Sequence, residues 1–208
     1  MQNNKPKNKL QRLTIIKKRL PFKIKKIGQF DISDLISRLD KIKPDYWLEQ
    51  EYRQKMKTHS KTHTLEIMWN PECLKDNKKG KKHERNYNLL EFDKILDELR
   101  PIYESEFGSG DFHRILMTRL KPKSEIPVHV DGGVGLMQGR RTHIPLVTNK
   151  EIIFRVGRDL EEFHLEAGNI YELNNARKHA VSNPTNEYRI HLIIDWLQDH
   201  GFWLKKKD

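Results

Sequence analysis

Tyr188-Arg189-Ile190-His191-Leu192-Ile193-Ile194-Asp195-Trp196 is the stretch whose reading decides the fold. Its β-branched and aromatic residues favour an extended backbone, and side chains two apart on a strand share a face. Arg189, His191 and Ile193 therefore lie on one face, and Ile190, Leu192 and Ile194 on the other. If the purely apolar face packs against helices, Arg189 points into the interior. A cation buried there without a partner is costly, and a dicarboxylate from outside the chain would supply the partner.

The same texture extends N-terminally. Strands are expected near residues 112–120, 125–130, 142–147, 151–156, 161–165, 169–173, 178–182 and 187–195, separated by Gly, Pro and Asn signals. Many short strands at even spacing suggest a sandwich or barrel, and a jelly roll with helices packed outside fits best. Phe22, Ile24 and Ile27 suggest a further short strand, and so does the run from Thr58 to Trp69. Asp31 to Ile42 reads as an amphipathic helix, with Asp31 or Ser33 as its cap and Pro44 beyond it. Asn88 and Glu91 form a capping box that would open a helix through Leu89, Phe92, Ile95, Leu96 and Leu99, which Pro101 should weaken or end. Residues 1–20 are expected to be a basic, flexible tail. Residues 21–208 then form a single domain with its jelly-roll core at about 110–197. There is no internal repeat.

Composition narrows the classes. With one cysteine, Cys73, the chain forms no internal disulfide and no cysteine-based zinc site. No apolar stretch approaches the roughly 20 residues that span a bilayer. The basic N-terminal run lacks the apolar core and small-residue cleavage site of a secretory signal, so a cytoplasmic location is expected. The net charge is +11. Its lysines cluster in residues 5–26, between Lys75 and Arg85, and at Lys205 to Lys207, which reads as a tail and loops rather than a shaped groove. A nucleic-acid-associated jelly roll, or an oxygenase acting on a nucleic-acid or ribosome-bound substrate, stands as the alternative reading.

The chemistry is carried by residues outside that strand as well. His129 and Asp131 are two apart, so on a strand both side chains reach the same side. Gly132, Gly133 and Gly135 follow as a flexible or tightly turned loop, and His179 stands before the last strand. Two histidines and a carboxylate form a face that holds Fe(II) and leaves other positions open. His-x-Asp alone is a weak signal; its order with the glycines, His179 and Arg189 gives it weight. His191 could add a second hydrogen bond to a carboxylate held by Arg189. Arg141 and His143 also share a strand face. Glu172, Asn174 and Asn175 could touch the site or simply end a strand in a turn. His164 reads as structural or exposed. His59, His63 and His113 read as surface residues, the first two with a place at a substrate entrance.

The segment from Phe112 to Trp196 resembles the aspartyl/asparaginyl β-hydroxylase family of Fe(II)- and 2-oxoglutarate-dependent oxygenases. The matching pieces are His129-Val-Asp131, Arg141-Thr-His143-Ile-Pro-Leu, Gly168-Asn-Ile-Tyr-Glu-Leu-Asn-Asn, His179-Ala-Val-Ser-Asn and Arg189-Ile-His-Leu-Ile-Ile-Asp-Trp196. The resemblance implies a mainly β fold with flanking helices, a double-stranded β-helix or cupin-type jelly roll. It implies Fe(II) on His129, Asp131 and His179, with 2-oxoglutarate and dioxygen as cosubstrates. Arg189 would bind the distal carboxylate, and Arg141 and His143 would lie near the metal-binding end of the cosubstrate. Animal-type members lack the carboxylate ligand, so Asp131 places this chain with members that keep a full triad, including hydroxylases of free proline. The expected substrate is an amino acid, free or within a peptide or protein.

Overall fold

The computed structural model describes residues 9–48, 53–70 and 81–199. In chain order the elements are α1 (Lys9–Lys18), β1 (Ile24–Gln29), α2 (Ser33–Leu39), β2 (Thr62–Trp69), β3 (Lys81–Lys82), α3 (Glu84–Leu89), α4 (Phe92–Phe107), β4 (Gly110–Leu120), β5 (Ser124–His129), α5 (Val134–Gln138), β6 (Arg140–Val147), β7 (Ile153–Val156), β8 (Glu161–Phe163), β9 (Asn169–Leu173), β10 (His179–Asn183) and β11 (Arg189–Gln198). Short 3-10 turns lie at Pro44–Trp47 and Lys57–His59.

The strands form a seven-stranded sheet, β1-β9-β6-β11-β4-β2-β3, and a four-stranded sheet, β5-β10-β7-β8. From β4 onward the chain distributes its strands between the two sheets, and the neighbours pair antiparallel. This is the double-stranded β-helix, mainly β with flanking helices. The eight strands expected between residues 112 and 195 are all present. Leu120 and Tyr171 of the large sheet pack with Ile126, Phe154 and Val181 of the small one, so the two inner faces share a core.

β11 runs between β6 and β4, and its apolar face meets the helices as expected. Ile190, Leu192 and Ile194 pack in one cluster with Leu99, Tyr103 and Phe107 of α4. Trp196 closes that layer, with ring centroids 5.0 Å from Phe112 and 5.6 Å from Tyr103. β4 must pass close to the end of β11. A Cβ on Gly110 would stand 2.4 Å from the Leu197 carbonyl oxygen, so only glycine allows this approach.

Several local expectations give way to tertiary packing. Asn88 lies inside α3, whose cap is His83: its Nδ1 accepts the Asn86 amide at 3.4 Å. Glu91 takes a left-handed conformation (φ 46°) and joins α3 to α4, so there is no capping box. Pro101 sits within α4, which continues to Phe107. The carbonyl that proline leaves without a donor belongs to exposed Asp97, and burial of Leu99, Tyr103 and Phe107 offsets the cost. The N-cap position of α2 falls to Ile32 rather than to Asp31 or Ser33; Asp31, one residue earlier, accepts the Ser33 amide at 2.9 Å.

Residues 9–18 of the expected tail form α1, and Leu13 packs with Leu136, Met137 and Ala176. The glycine-rich segment after Asp131 contains the one-turn helix α5, entered through Gly133 at φ 116°, a conformation that favours glycine. His59, His63 and His113 are buried, not on the surface. β4 is covered on both faces between β11 and β2, which encloses His113, while His63 accepts a hydrogen bond from Arg119 Nε at 2.9 Å. Residues 75–80 of the basic loop, Cys73 and Lys205 to Lys207 lie outside the described residues. No described helix is long and apolar enough to cross a membrane.

Candidate active site

Pairing of β5 with β10 sets His129 opposite His179. The register shifts between His179 and Val181, next to Pro127, which has no amide to give the ladder. The shift brings the two imidazoles together, with ring centroids 4.2 Å apart. Asp131 follows β5, held by its amide bond to the Asn175 carbonyl at 3.3 Å. Its Oδ1 stands 3.8 Å from His129 Nε2 and 3.9 Å from His179 Nε2. One ligand atom from each of the three residues lies within 4.8 Å of the others.

The donor set fits a divalent transition metal. His129 Nδ1 donates to the Pro127 carbonyl at 2.8 Å, and His179 Nδ1 to the Arg177 carbonyl at 3.0 Å. Carbonyl oxygens only accept, so both protons sit on Nδ1 and both Nε2 lone pairs face the carboxylate. Backbone acceptors of this kind orient metal-bound histidines. Burial pushes His179 below its ordinary pKa, partly opposed by Asp131, which favours the neutral, ligating form.

Deeper between the sheets, the face of β11 opposite the helices carries Arg189, His191, Ile193 and Asp195. Arg189 is 2% exposed, and among the described residues no carboxylate pairs with it. Burial lowers its pKa to about 9, and the charge of Arg53 adds to the effect. Its Nη2 donates to His191 Nδ1 at 2.6 Å, its guanidinium lies 4.9 Å from the Phe154 ring centroid, and its Nε has no partner among the described residues. His191 is also buried, and its Nε2 has no partner among the described residues. His143 lines an inner cavity together with Arg189, and neither of its ring nitrogens is bonded among the described residues. Burial holds both histidines well below their usual range, with Arg189 adding to it, so both are neutral. A buried cation, backed by His191, and the unsatisfied imidazole of His143 on one cavity call for an anionic, hydrogen-bonding guest.

The structure gives Arg141 a more specific place than the sequence does. It lines the cavity, but its guanidinium is already engaged: Nη1 bonds Asp131, while Nε and Nη2 reach Asp195 at 2.9 and 3.1 Å. Arg114 Nε bonds the same Asp195 at 2.6 Å. Asp195 was missed by sequence reasoning, although it lies six residues beyond Arg189 on the same strand face. Glu172 bonds Arg140 at 2.8 Å, and Asn174 and Asn175 turn the chain from β9 to β10. His164 Nδ1 bonds the Ile152 carbonyl at 3.3 Å, a structural contact.

Two residues from the least patterned part of the chain complete the site. His59 lies edge-on to His129 with centroids 5.5 Å apart. Burial lowers its pKa to about 2, with Arg53 contributing. The Arg53 guanidinium lies beside that ring, and burial, then the charge of Arg114, lowers its pKa to about 10. Both border the inner cavity and an outer one bounded by Met56, Trp69, Val130 and Leu136, so the outer cavity opens beside His129 and Asp131. Sequence reasoning gave His59 a place at a substrate entrance, whereas only burial, invisible in a polar stretch, could have singled out Arg53.

A family model described as aspartyl/asparaginyl beta-hydroxylase matches residues 36–199. No curated protein matches the chain significantly. Among solved structures, the chain is similar to an oxidoreductase of the 2OG-Fe(II) oxygenase family from Burkholderia pseudomallei, at 18% identity over 67% of this chain and 69% of that one (TM-score 0.53). It is also similar to the viral collagen prolyl hydroxylase vCPH from Paramecium Bursaria Chlorella virus-1, solved with 2OG. There the identity is 14% over 86% of this chain and 97% of that one (TM-score 0.51). At such identities the likeness is one of fold.

Proposed function

The chain belongs to the aspartyl/asparaginyl β-hydroxylase family and is a 2-oxoglutarate-dependent hydroxylase; from that premise we propose that His129, Asp131 and His179 hold its Fe(II) and Arg189 holds the far carboxylate of 2-oxoglutarate. The observation that carries this reading is Arg189, a buried guanidinium with no acid among the described residues. A dicarboxylate reaching from the triad would pair with it and relieve its desolvation.

When bound, Fe(II) and 2-oxoglutarate supply the chemistry that side chains lack: reduction of dioxygen coupled to decarboxylation of the oxo acid to succinate, with one oxygen atom entering a C–H bond. The protein's part is placement. His191 accepts from Arg189 and so fixes the fork of the guanidinium. The neutral His143 offers an N–H toward the cavity. Arg141 ties Asp131 to Asp195, which keeps the carboxylate aimed at the two histidines. Ile126, Val181, Ile193 and Phe154 give the cavity apolar walls that exclude water. No side chain is needed as a general base.

The outer cavity receives the substrate in this reading. Its mix of Trp69 and Met56 with the guanidiniums of Arg53 and Arg114 suits an amino acid, free or presented by a peptide or protein. Succinate formation from 2-oxoglutarate and Fe(II) tests the reading, first without substrate and then with amino acids and peptides added. Arg189→Ala is expected to raise the KM for 2-oxoglutarate steeply. An unchanged KM would remove the cosubstrate assignment.

A further inference from the structure

Lys17 lies in the last turn of α1 and is completely buried, at 0% exposure. Its ammonium group donates to the carbonyls of Leu136, at 3.1 Å, and Gly139, at 2.5 Å. These oxygens lie at the C-terminal end of α5. The backbone bonds there run from Met137 to Gly133 and from Gly139 to Gly135, so the last carbonyls need outside donors. Asn175 Nδ2 also donates to the Leu136 carbonyl, at 3.3 Å, while the Asn175 carbonyl accepts the Asp131 amide. Asn174 Nδ2 in turn donates to the Lys17 carbonyl at 3.0 Å. A single lysine thus ties α1 to the segment that follows Asp131 and to the turn that precedes His179.

Charge pairing does not account for this burial. The carboxylates that act on Lys17 are Asp195, Glu172 and Asp131. Each has an arginine already: Arg114 and Arg141 on Asp195, Arg140 on Glu172, Arg141 on Asp131. Among the described residues no carboxylate forms an ion pair with Lys17. The groups it serves are the two carbonyls.

We infer that Lys17 is a positioning residue for the metal centre: through α5 and the 174–175 turn it holds the Asp131 carboxylate in register with His129 and His179. The inference rests on the reading that this triad binds a divalent cation. Mn(II) serves as the probe, added to the metal-free full chain, with free Mn(II) followed by electron paramagnetic resonance. Wild type should bind one equivalent, and Asp131→Ala should weaken binding. If neither holds, the metal reading fails and this inference with it.

With the metal reading standing, Lys17→Met is expected to bind Mn(II) about tenfold more weakly while keeping its circular dichroism spectrum. Combined with Asp131→Ala it should add nothing further, because it acts through that carboxylate. Lys23→Met is the control; it removes only exposed ion pairs with Asp159 and Glu161 and should leave affinity unchanged. If Lys17→Met does not fold, Leu13→Ala decides the matter. It loosens the contact of α1 with α5 without removing a hydrogen bond, and affinity should fall about threefold. Wild-type affinity in the folded variant, or a full additional loss on top of Asp131→Ala, overturns the inference.

Discussion

The two faces of β11 share a backbone and differ in almost everything else. Outward, Ile190, Leu192, Ile194 and Trp196 pack on α4 and its neighbours and hold the domain together. Inward, Arg189, His191 and Asp195 put charge and imidazole where burial is costly. A period of two therefore separates stability from chemistry within ten residues. The outer face is what the domain needs to stay folded. The inner face makes sense only with a guest.

Substitutions can break or sharpen that contrast. The largest effect is expected on the inner wall. His179→Ala should cut succinate formation by at least about 1000-fold, or about 4 kcal/mol of barrier, with Tm shifted by no more than a few degrees. A large fall in Tm would show that the wall also supports the fold. Next comes the outer face: Leu192→Ala, at a position with 0% exposure, should cost about 2–5 kcal/mol in denaturant unfolding and leave turnover per folded molecule unchanged. Arg189→Met should raise the KM for 2-oxoglutarate about 30-fold, near 2 kcal/mol, yet leave the unliganded protein at least as stable as wild type. Lost stability there would erase the distinction between the faces.

The smallest effect concerns Lys17, whose pKa burial lowers from 10.5 to about 8. Between those values the unfolded chain binds the extra proton, so stability from this group rises with pH from about 8 to 10.5. Relative to Lys17→Met, wild type should gain a few degrees of Tm across that window. Parallel Tm profiles for the two proteins would contradict it.

The strands from residue 110 onward were legible because alternation and turn residues agree with the tertiary structure there. The same holds for the facing of His129, His179 and Arg189, which sit at strand positions that can be counted, whereas Asp131 lies just past the end of β5. Local cues misled where burial overruled them. Asn88 and Glu91 have the spacing of a cap but lie inside and after a helix, and Pro101 is carried through by the packing of α4. Lys17 was unreadable for a different reason. Its acceptors are 119 and 122 residues away, and nothing in a lysine-rich segment marks one lysine as the buried one. Asp195 was readable in principle, since its parity matches that of Arg189.

If 2-oxoglutarate supplies the counter-charge that Arg189 lacks among the described residues, it also links metabolism to the persistence of the fold. An anion that binds only the native chain adds RT ln(1 + [L]/Kd) to its stability, about 2.7 kcal/mol at a hundredfold excess over Kd. The cosubstrate would then govern not only how fast the enzyme works but how long it survives. Depleted of 2-oxoglutarate, the same polypeptide would open more often and meet proteases sooner.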